Sequence, residues 1–169
     1  ADLSSALREA NISATVDPTS GAIALASDVL FATGESELTD EGRSRIDAFL
    51  PVYLDVLFSD EYRGYVSEII IEGHTDTDGT FLTNMQLSQD RAYAVLRYIL
   101  SSEFTGISGA AKERLQQIVT VNGRSYSDPI YNDDGSVNMD ASRRVVIKFR
   151  MNDEDMVNEM LSILDGMNN

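Results

Sequence analysis

Asp76 and Arg91 are the two side chains of this chain whose types and spacing most plainly suit a ligand. Asp76 lies in the polar run His74-Thr75-Asp76-Thr77-Asp78-Gly79, directly behind Ile69-Ile70-Ile71. Arg91 follows Asn84 and Ser88 in a stretch with helical periodicity. A carboxylate accepts hydrogen bonds from an ammonium, and a guanidinium donates two parallel ones to a carboxylate. Set around one loop, the two groups can hold both ends of a zwitterion. They can equally form an ordinary loop–helix salt bridge with each other, and the residues by themselves leave both readings open.

Other chemistry finds less support. His74 is the one histidine and cysteine is absent, so zinc and thiolate sites lack ligands. His74 and Asp76 are too close in the chain to act as base and orienter of a Ser–His–Asp triad, and no pair of carboxylates stands at a spacing that suits hydrolysis. The expectation is no catalytic residue, no metal and no cofactor, with His74 ordering its loop. Asp76-Thr77-Asp78-Gly79 and Asn132-Asp133-Asp134-Gly135 look like calcium loops only superficially. Aligning either glycine to the sixth EF-hand position puts Met85 or Ala141 where the bidentate glutamate belongs.

These residues need rigid elements to hold them. Three consecutive isoleucines favour a buried strand over Ile69–Ile71, expected to lie centrally in the sheet. Gly73 and Gly79 bracket the loop. Ser88 is expected to cap the following helix, whose Ala92, Val95, Leu96, Ile99 and Leu100 form one apolar stripe. That places Arg91 in the first helical turn, with Asp76 and Arg91 both near loops and exposed.

Upstream, residues 1 to 10 have helical spacing, Asn11 to Asp17 alternates as a strand, and Ala22 to Ala26 returns as its hairpin partner. Thr39 is a helix cap. Ile46, Phe49, Leu50, Tyr53, Leu54 and Leu57 form a stripe that Pro51 is expected to kink or break near Asp47. Downstream come a loop over 101 to 108, a short helix over Ala110–Gln117, a strand over Ile118–Val121 and a long polar loop from Arg124 to Asp140. Arg144–Arg150 is the last strand, with Val145, Ile147 and Phe149 on one face. An acidic tail helix carries Val157, Met160, Leu161 and Leu164 as its stripe.

Several of these pieces recur together. Gly73-His74-Thr75-Asp76 with Asn84, Leu87-Ser88 and Arg91-Ala92 resembles the signature of OmpA-like peptidoglycan-binding domains. Val29-Leu30-Phe31, Gly34 and Leu38-Thr39 upstream agree with it, as do Gly123, Pro129 and Arg143-Arg144-Val145 downstream. That family includes C-terminal domains of outer-membrane proteins, peptidoglycan-associated lipoproteins and flagellar-type stator B subunits. The resemblance implies that Asp76 and Arg91 bind the free ends of a diaminopimelate side chain in the peptidoglycan stem peptide. It further implies that Thr75, Asn84 and Arg143 add peripheral hydrogen bonds. Two positions depart from the pattern: Ala32 stands where an aspartate is frequent, and Ser142 where an asparagine usually precedes the paired arginines.

The expected fold is α+β, a βαβαβ-type two-layer sandwich with a mixed sheet and helices on one face. Residues 1–21 read as an N-terminal helix or linker with the first strand, 22–150 as the OmpA-like domain and 151–169 as an acidic helical extension. A net charge of −15 disfavours nucleic acid and anionic surfaces, so peptidoglycan must be held by a local pocket. No run of roughly 18 apolar residues is present. A start at Ala1 suggests a processed or truncated product with an upstream membrane anchor, placed in the cell envelope outside the cytoplasmic membrane. A homodimer is a further expectation. The competing readings are an interaction module of the same fold that has lost its ligand, favoured by Ala32 and Ser142, and a cell-wall hydrolase.

Overall fold

The computed structural model describes residues 15–17, 20–152 and 154–166. The helix expected over residues 1–10 lies outside them, as does most of the strand expected from Asn11. What is described of that strand, β1 (Thr15–Val16), pairs antiparallel with β2 (Ile23–Ala26) as the expected hairpin.

The remaining elements follow in order: α1 (Ser27–Leu30), α2 (Asp40–Leu57), β3 (Val66–His74), α3 (Phe81–Leu100), α4 (Gly109–Ile118), β4 (Val119–Gly123), α5 (Met139–Ser142), β5 (Arg144–Met151) and α6 (Glu154–Asp165). The sheet order is β1-β2-β5-β3-β4. Among the described residues only β3 and β4 run parallel, and α3 and α4 make the crossover that a parallel pair requires. The other pairings are antiparallel. This is the mixed-sheet α+β sandwich that the order of elements predicts.

Alternation decides the two sheet faces. Ile69 and Ile71, Val145, Ile147 and Phe149, and Ile23 and Leu25 point into one core with the α2 stripe and with Ala92, Val95 and Ile99 of α3. Met160 and Leu164 of α6 are fully buried in the same core. Ile70 is buried too, but on the opposite face with Glu72 and His74, outside that core cluster. The isoleucine triplet is therefore a strand covered on both sides, which explains why it reads as a continuous apolar run.

Two local expectations are corrected. The helix behind the Asp76 loop begins at Phe81, capped by Thr80, whose Oγ1 accepts the Thr83 N–H. Ser88 is not a cap; it lies inside α3, fully buried. Thr80 caps as well as Ser88 would, and the intervening Thr83-Asn84-Met85-Gln86 tolerates a helix although it extends no apolar stripe. The α2 helix runs unbroken through Pro51, so the break expected near Asp47 does not occur. Losing one backbone bond costs about 3 kcal/mol, whereas each buried side chain of the stripe contributes about 1.5–3 kcal/mol. Ile46, Phe49 and Leu50 before the proline, with Tyr53, Leu54 and Leu57 after it, outweigh the defect.

Candidate functional site

The C-terminal ends of β2, β3 and β4 and the N-terminal end of β5 meet at one edge of the sheet. His74 pairs with Arg144, Gly73 with Gly123, and Ala26 with Arg144. The segments leaving these ends build the site.

Gly73 brings α3 against the sheet. A Cβ at Gly73 would lie 2.1 Å from the Ser88 carbonyl oxygen, and one at the paired Gly123 would lie 2.7 Å from Ser88 Oγ. Ser88 Oγ accepts the Ser125 N–H at 3.0 Å, and Ser125 O accepts the Thr75 N–H at 2.9 Å. The loops after β3 and β4 are thus stitched to one another through a buried serine of α3.

Asp76 follows in a short Asx turn, its Oδ1 accepting the Asp78 N–H at 3.0 Å. Gly79 closes the turn at a φ of +85°, a conformation that glycine adopts without strain. Asn84 Nδ2 donates to the carbonyls of Asp78 (2.6 Å) and Thr80 (3.0 Å). Thr75 Oγ1 donates to the Asp76 carbonyl at 2.9 Å. Asn84 and Thr75 are both buried. Their side chains shape the loop rather than point at a ligand.

Arg143 is the hub. Its Nη1 donates to Asp76 Oδ2 at 2.7 Å, its Nε and Nη2 fork onto Asp28 at 3.0 Å each, and Nη2 also meets Asp140. Asp28 is positioned for this by a backbone bond, the Ser27 N–H donating to the Arg143 carbonyl at 3.0 Å. These hydrogen bonds, Asp28's first and Asp76's second, hold the Arg143 guanidinium firmly protonated.

Arg91 does not pair with Asp76. It sits midway along α3 rather than in its first turn, and it is buried, only 5 % exposed, not exposed as the sequence reading has it. The two extra turns of helix between Thr80 and Ser88 carry it under the sheet edge. Its Nε donates to the Glu35 carbonyl at 2.9 Å, and its guanidinium carbon lies 5.0 Å over the Phe31 ring. The Phe31–Leu38 bridge closes the loop that presents Glu35. Burial lowers the Arg91 pKa, and the neighbouring Arg143 lowers it further, while Asp28 and Asp76 act against them. Among the described residues no carboxylate forms a salt bridge with Arg91.

The arrangement therefore sets three carboxylates, Asp28, Asp76 and Asp140, about the Arg143 guanidinium, with a second guanidinium alongside that forms no salt bridge among the described residues. The carboxylates keep lone pairs for an ammonium; Arg91 keeps donors for a carboxylate. Of the five residues singled out from sequence, Asp76 and Arg143 are in direct contact. Arg91 shares their field, and Thr75 and Asn84 support the loop. Asp28 and Asp140 were not foreseen. Asp140 stands one helical turn before Arg143, a legible i,i+3 signal. Asp28 had none, because its position depends on the β2–β5 pairing.

His74 is buried on the other face of the sheet. Its Nε2 lies 3.3 Å from Glu72 Oε2, and its Nδ1 has no partner. Burial first, and Arg144 second, lower its pKa to about 4, so the ring is neutral near pH 7. Glu72 is anionic: burial opposes its charge, but the Lys148 ammonium at 2.9 Å overcomes that and lowers its pKa. The His74 side chain bonds Glu72 rather than its loop, and Asp76 is taken up by Arg143, so the two form no catalytic relay.

The sequence pattern of the OmpA family matches residues 30–143. The Zorya protein ZorB of Escherichia coli strain ATCC 8739 is 34% identical over 142 residues, covering 79% of this chain and 58% of that protein. The chain spans about half the length of the curated relatives it matches. Among solved structures, the periplasmic domain of Helicobacter pylori MotB superposes with a TM-score of 0.57 at 19% identity, covering 92% of this chain and 99% of that one. The cell wall anchor of the T6SS from Pseudomonas aeruginosa gives 0.53 at 22% identity, with 88% and 94% covered. Both show the same fold. The family pattern spans β3, the Asp76 loop, Arg91 and Arg143, and this chain belongs to the OmpA family.

Proposed function

We propose that this chain is a non-catalytic peptidoglycan-binding domain of the cell envelope, lying outside the cytoplasmic membrane and tethering a membrane-anchored, stator-type protein to the wall. Its ligand is the zwitterionic end of diaminopimelate in the stem peptide. The observation that carries this reading is the uncommitted Arg91 guanidinium beside the carboxylates of Asp76, Asp28 and Asp140. The ligand ammonium enters among the carboxylates, which outnumber the guanidiniums by three to two. Its carboxylate meets Arg91, whose burial strengthens the interaction relative to water. Asp28 supplies a further acceptor to the cluster through its contact with Arg143. The similarity to a cell wall anchor and to a periplasmic domain supports this placement.

A second reading is favoured by one observation. Arg143 already carries its full set of acid partners, as it would in an interaction module without a ligand. Sedimentation with purified sacculi separates the two. The anchor co-sediments, releases no muropeptides, and is lost from the pellet on Asp76→Ala. A protein that stays in the supernatant is the interaction module, and release of soluble muropeptides identifies a hydrolase.

A further inference from the structure

A cleft of about 610 Å³ lies on the helical side of the domain, between α3 and the loop that carries Glu35. One wall is Ser36, Glu37 and Leu38 of that loop with Arg43 of α2. The other is the face of α3 that bears Asp90, Tyr93 and Arg97, running on to Ser102 and Glu103. From Asp90 to Ser101 this wall advances about 16 Å, at roughly 1.5 Å per residue, so the cleft suits a chain rather than a compact ligand. Its loop wall is held at both ends. Arg91 Nε donates to the Glu35 carbonyl at 2.9 Å, and Arg43 Nη1 donates to the Leu38 carbonyl at 2.9 Å.

The lining narrows the occupant. Tyr93 is 54 % exposed, and a ring shown to solvent on a rigid helix offers its electron-rich face to polarised C–H groups. Arg97 is exposed and forms no salt bridge among the described residues, so it keeps its fork of N–H donors. Asp90 accepts from Gln86 through Oδ1 at 2.8 Å and keeps Oδ2 as an acceptor. The guanidiniums of Arg43 and Arg97 stand against the carboxylates of Glu37, Asp90 and Glu103, a mixture that selects no strongly charged ligand of either sign. A peptide partner would need apolar pockets for its side chains, and besides its tyrosines the cleft offers only Leu38 and Ala94. A neutral chain dense in hydroxyls fits every feature. Carboxylates accept from its hydroxyls, guanidiniums donate to its oxygens, and the C–H face of a sugar ring lies on an exposed tyrosine.

We propose that this cleft is a saccharide site that takes a short run of N-acetylated amino sugars. Tyr93 is the stacking platform, Arg97 donates to an acetamido carbonyl, and Asp90 accepts the acetamido N–H. The proposal deepens the wall-binding reading given above and rests on it only for the source of the sugar, a glycan strand. None of the residues lining the cleft belongs to the Asp76 cluster, so sugar is bound here without any peptide. Asp90 and Ser36 are the chain neighbours of Arg91 and Glu35, which places the two sites side by side.

Calorimetry with a tetramer of β-1,4-linked N-acetylglucosamine, which carries no peptide, tests it on the wild type, Tyr93→Ala, Tyr93→Phe and Arg97→Ala. Free meso-diaminopimelate is the control ligand. The wild type is expected to bind the tetramer, and Tyr93→Ala and Arg97→Ala to weaken it by roughly tenfold or more. Tyr93→Phe keeps the ring and is expected to bind within about twofold of wild type. All three variants should leave diaminopimelate binding unchanged. In the unmodified protein, the tetramer should shift backbone amide resonances over residues 90–103, which reads the cleft without any substitution. A wild type that does not bind the tetramer, or a Tyr93→Ala that binds it as the wild type does, overturns the saccharide proposal alone. Binding of the tetramer without diaminopimelate overturns the zwitterion reading and leaves the saccharide site standing.

Discussion

Replacing Gly73 by alanine tests how the fold places the site. A Cβ there would stand 2.1 Å from the Ser88 carbonyl oxygen, against an ordinary carbon–oxygen contact of about 3.2 Å, so β3 and α3 must separate by about 1 Å. The neighbour is helix backbone, which cannot swing aside as a side chain would. Ser88 also accepts the Ser125 N–H, so the displacement pulls on the β4 loop as well. Overpacking of this kind costs about 1–3 kcal/mol, and the rigid obstacle puts Gly73→Ala at the upper end. The gain from replacing a strand glycine, about 0.5–1 kcal/mol, offsets only part of it. Urea unfolding should show a lower midpoint with an unchanged slope and a net loss of about 2 kcal/mol. Arg91, one turn beyond Ser88, should shift from Asp76, so sacculus binding should fall more than the stability loss explains. Stability within about 0.5 kcal/mol of wild type would refute the account of how α3 is seated.

Acid should weaken the fold through His74. Its folded pKa of about 4 lies below the unfolded value of 6.5, so between those pH values the unfolded chain binds more protons and stability falls as pH falls. The full effect is on the order of 3 kcal/mol. It should shrink in His74→Gln; equal slopes for both proteins between pH 7 and 4.5 would contradict it. Leu164→Ala, at a fully buried position of α6, should cost about 2–5 kcal/mol in urea unfolding if the tail helix belongs to the core; a change under about 1 kcal/mol would show that it is dispensable. Asp28→Ala should weaken sacculus binding less than Asp76→Ala does, because Asp28 is the more exposed partner of Arg143. Equal binding by Asp28→Ala and wild type would remove Asp28 from the site.

Much of the fold was legible because its signals are local. The isoleucine run, the Thr39 cap, the α2 stripe and the alternation of β5 each specify an element within a few residues. The N-terminus of α3 was misplaced because an apolar stripe marks where a helix is buried, not where it begins, and α3 projects two turns past the core. Arg91 was consequently thought exposed. The site was legible only in part for a different reason. Asp76 and Arg143 are 67 positions apart and Asp28 and Arg143 are 115 apart, so their contacts exist only once β2, β3 and β5 have paired. The family resemblance brought Asp76, Arg91 and Arg143 together in advance. It had no place for Asp28, which holds Arg143 from a position four residues before Ala32.

The central claim is that the acid cluster and Arg91 together hold a zwitterion. Calorimetric titration of the folded wild type, Asp76→Ala and Arg91→Met with meso-diaminopimelate tests it most directly. Methionine is long and flexible enough to fill much of the space beside the Phe31 ring that the arginine side chain occupies, so loss of binding reports the missing guanidinium rather than a cavity. Each substitution leaves one ligand charge without its partner and should cost about 2 kcal/mol or more, roughly thirtyfold in Kd. Folded variants that bind diaminopimelate as the wild type does would contradict the account and place the pocket elsewhere.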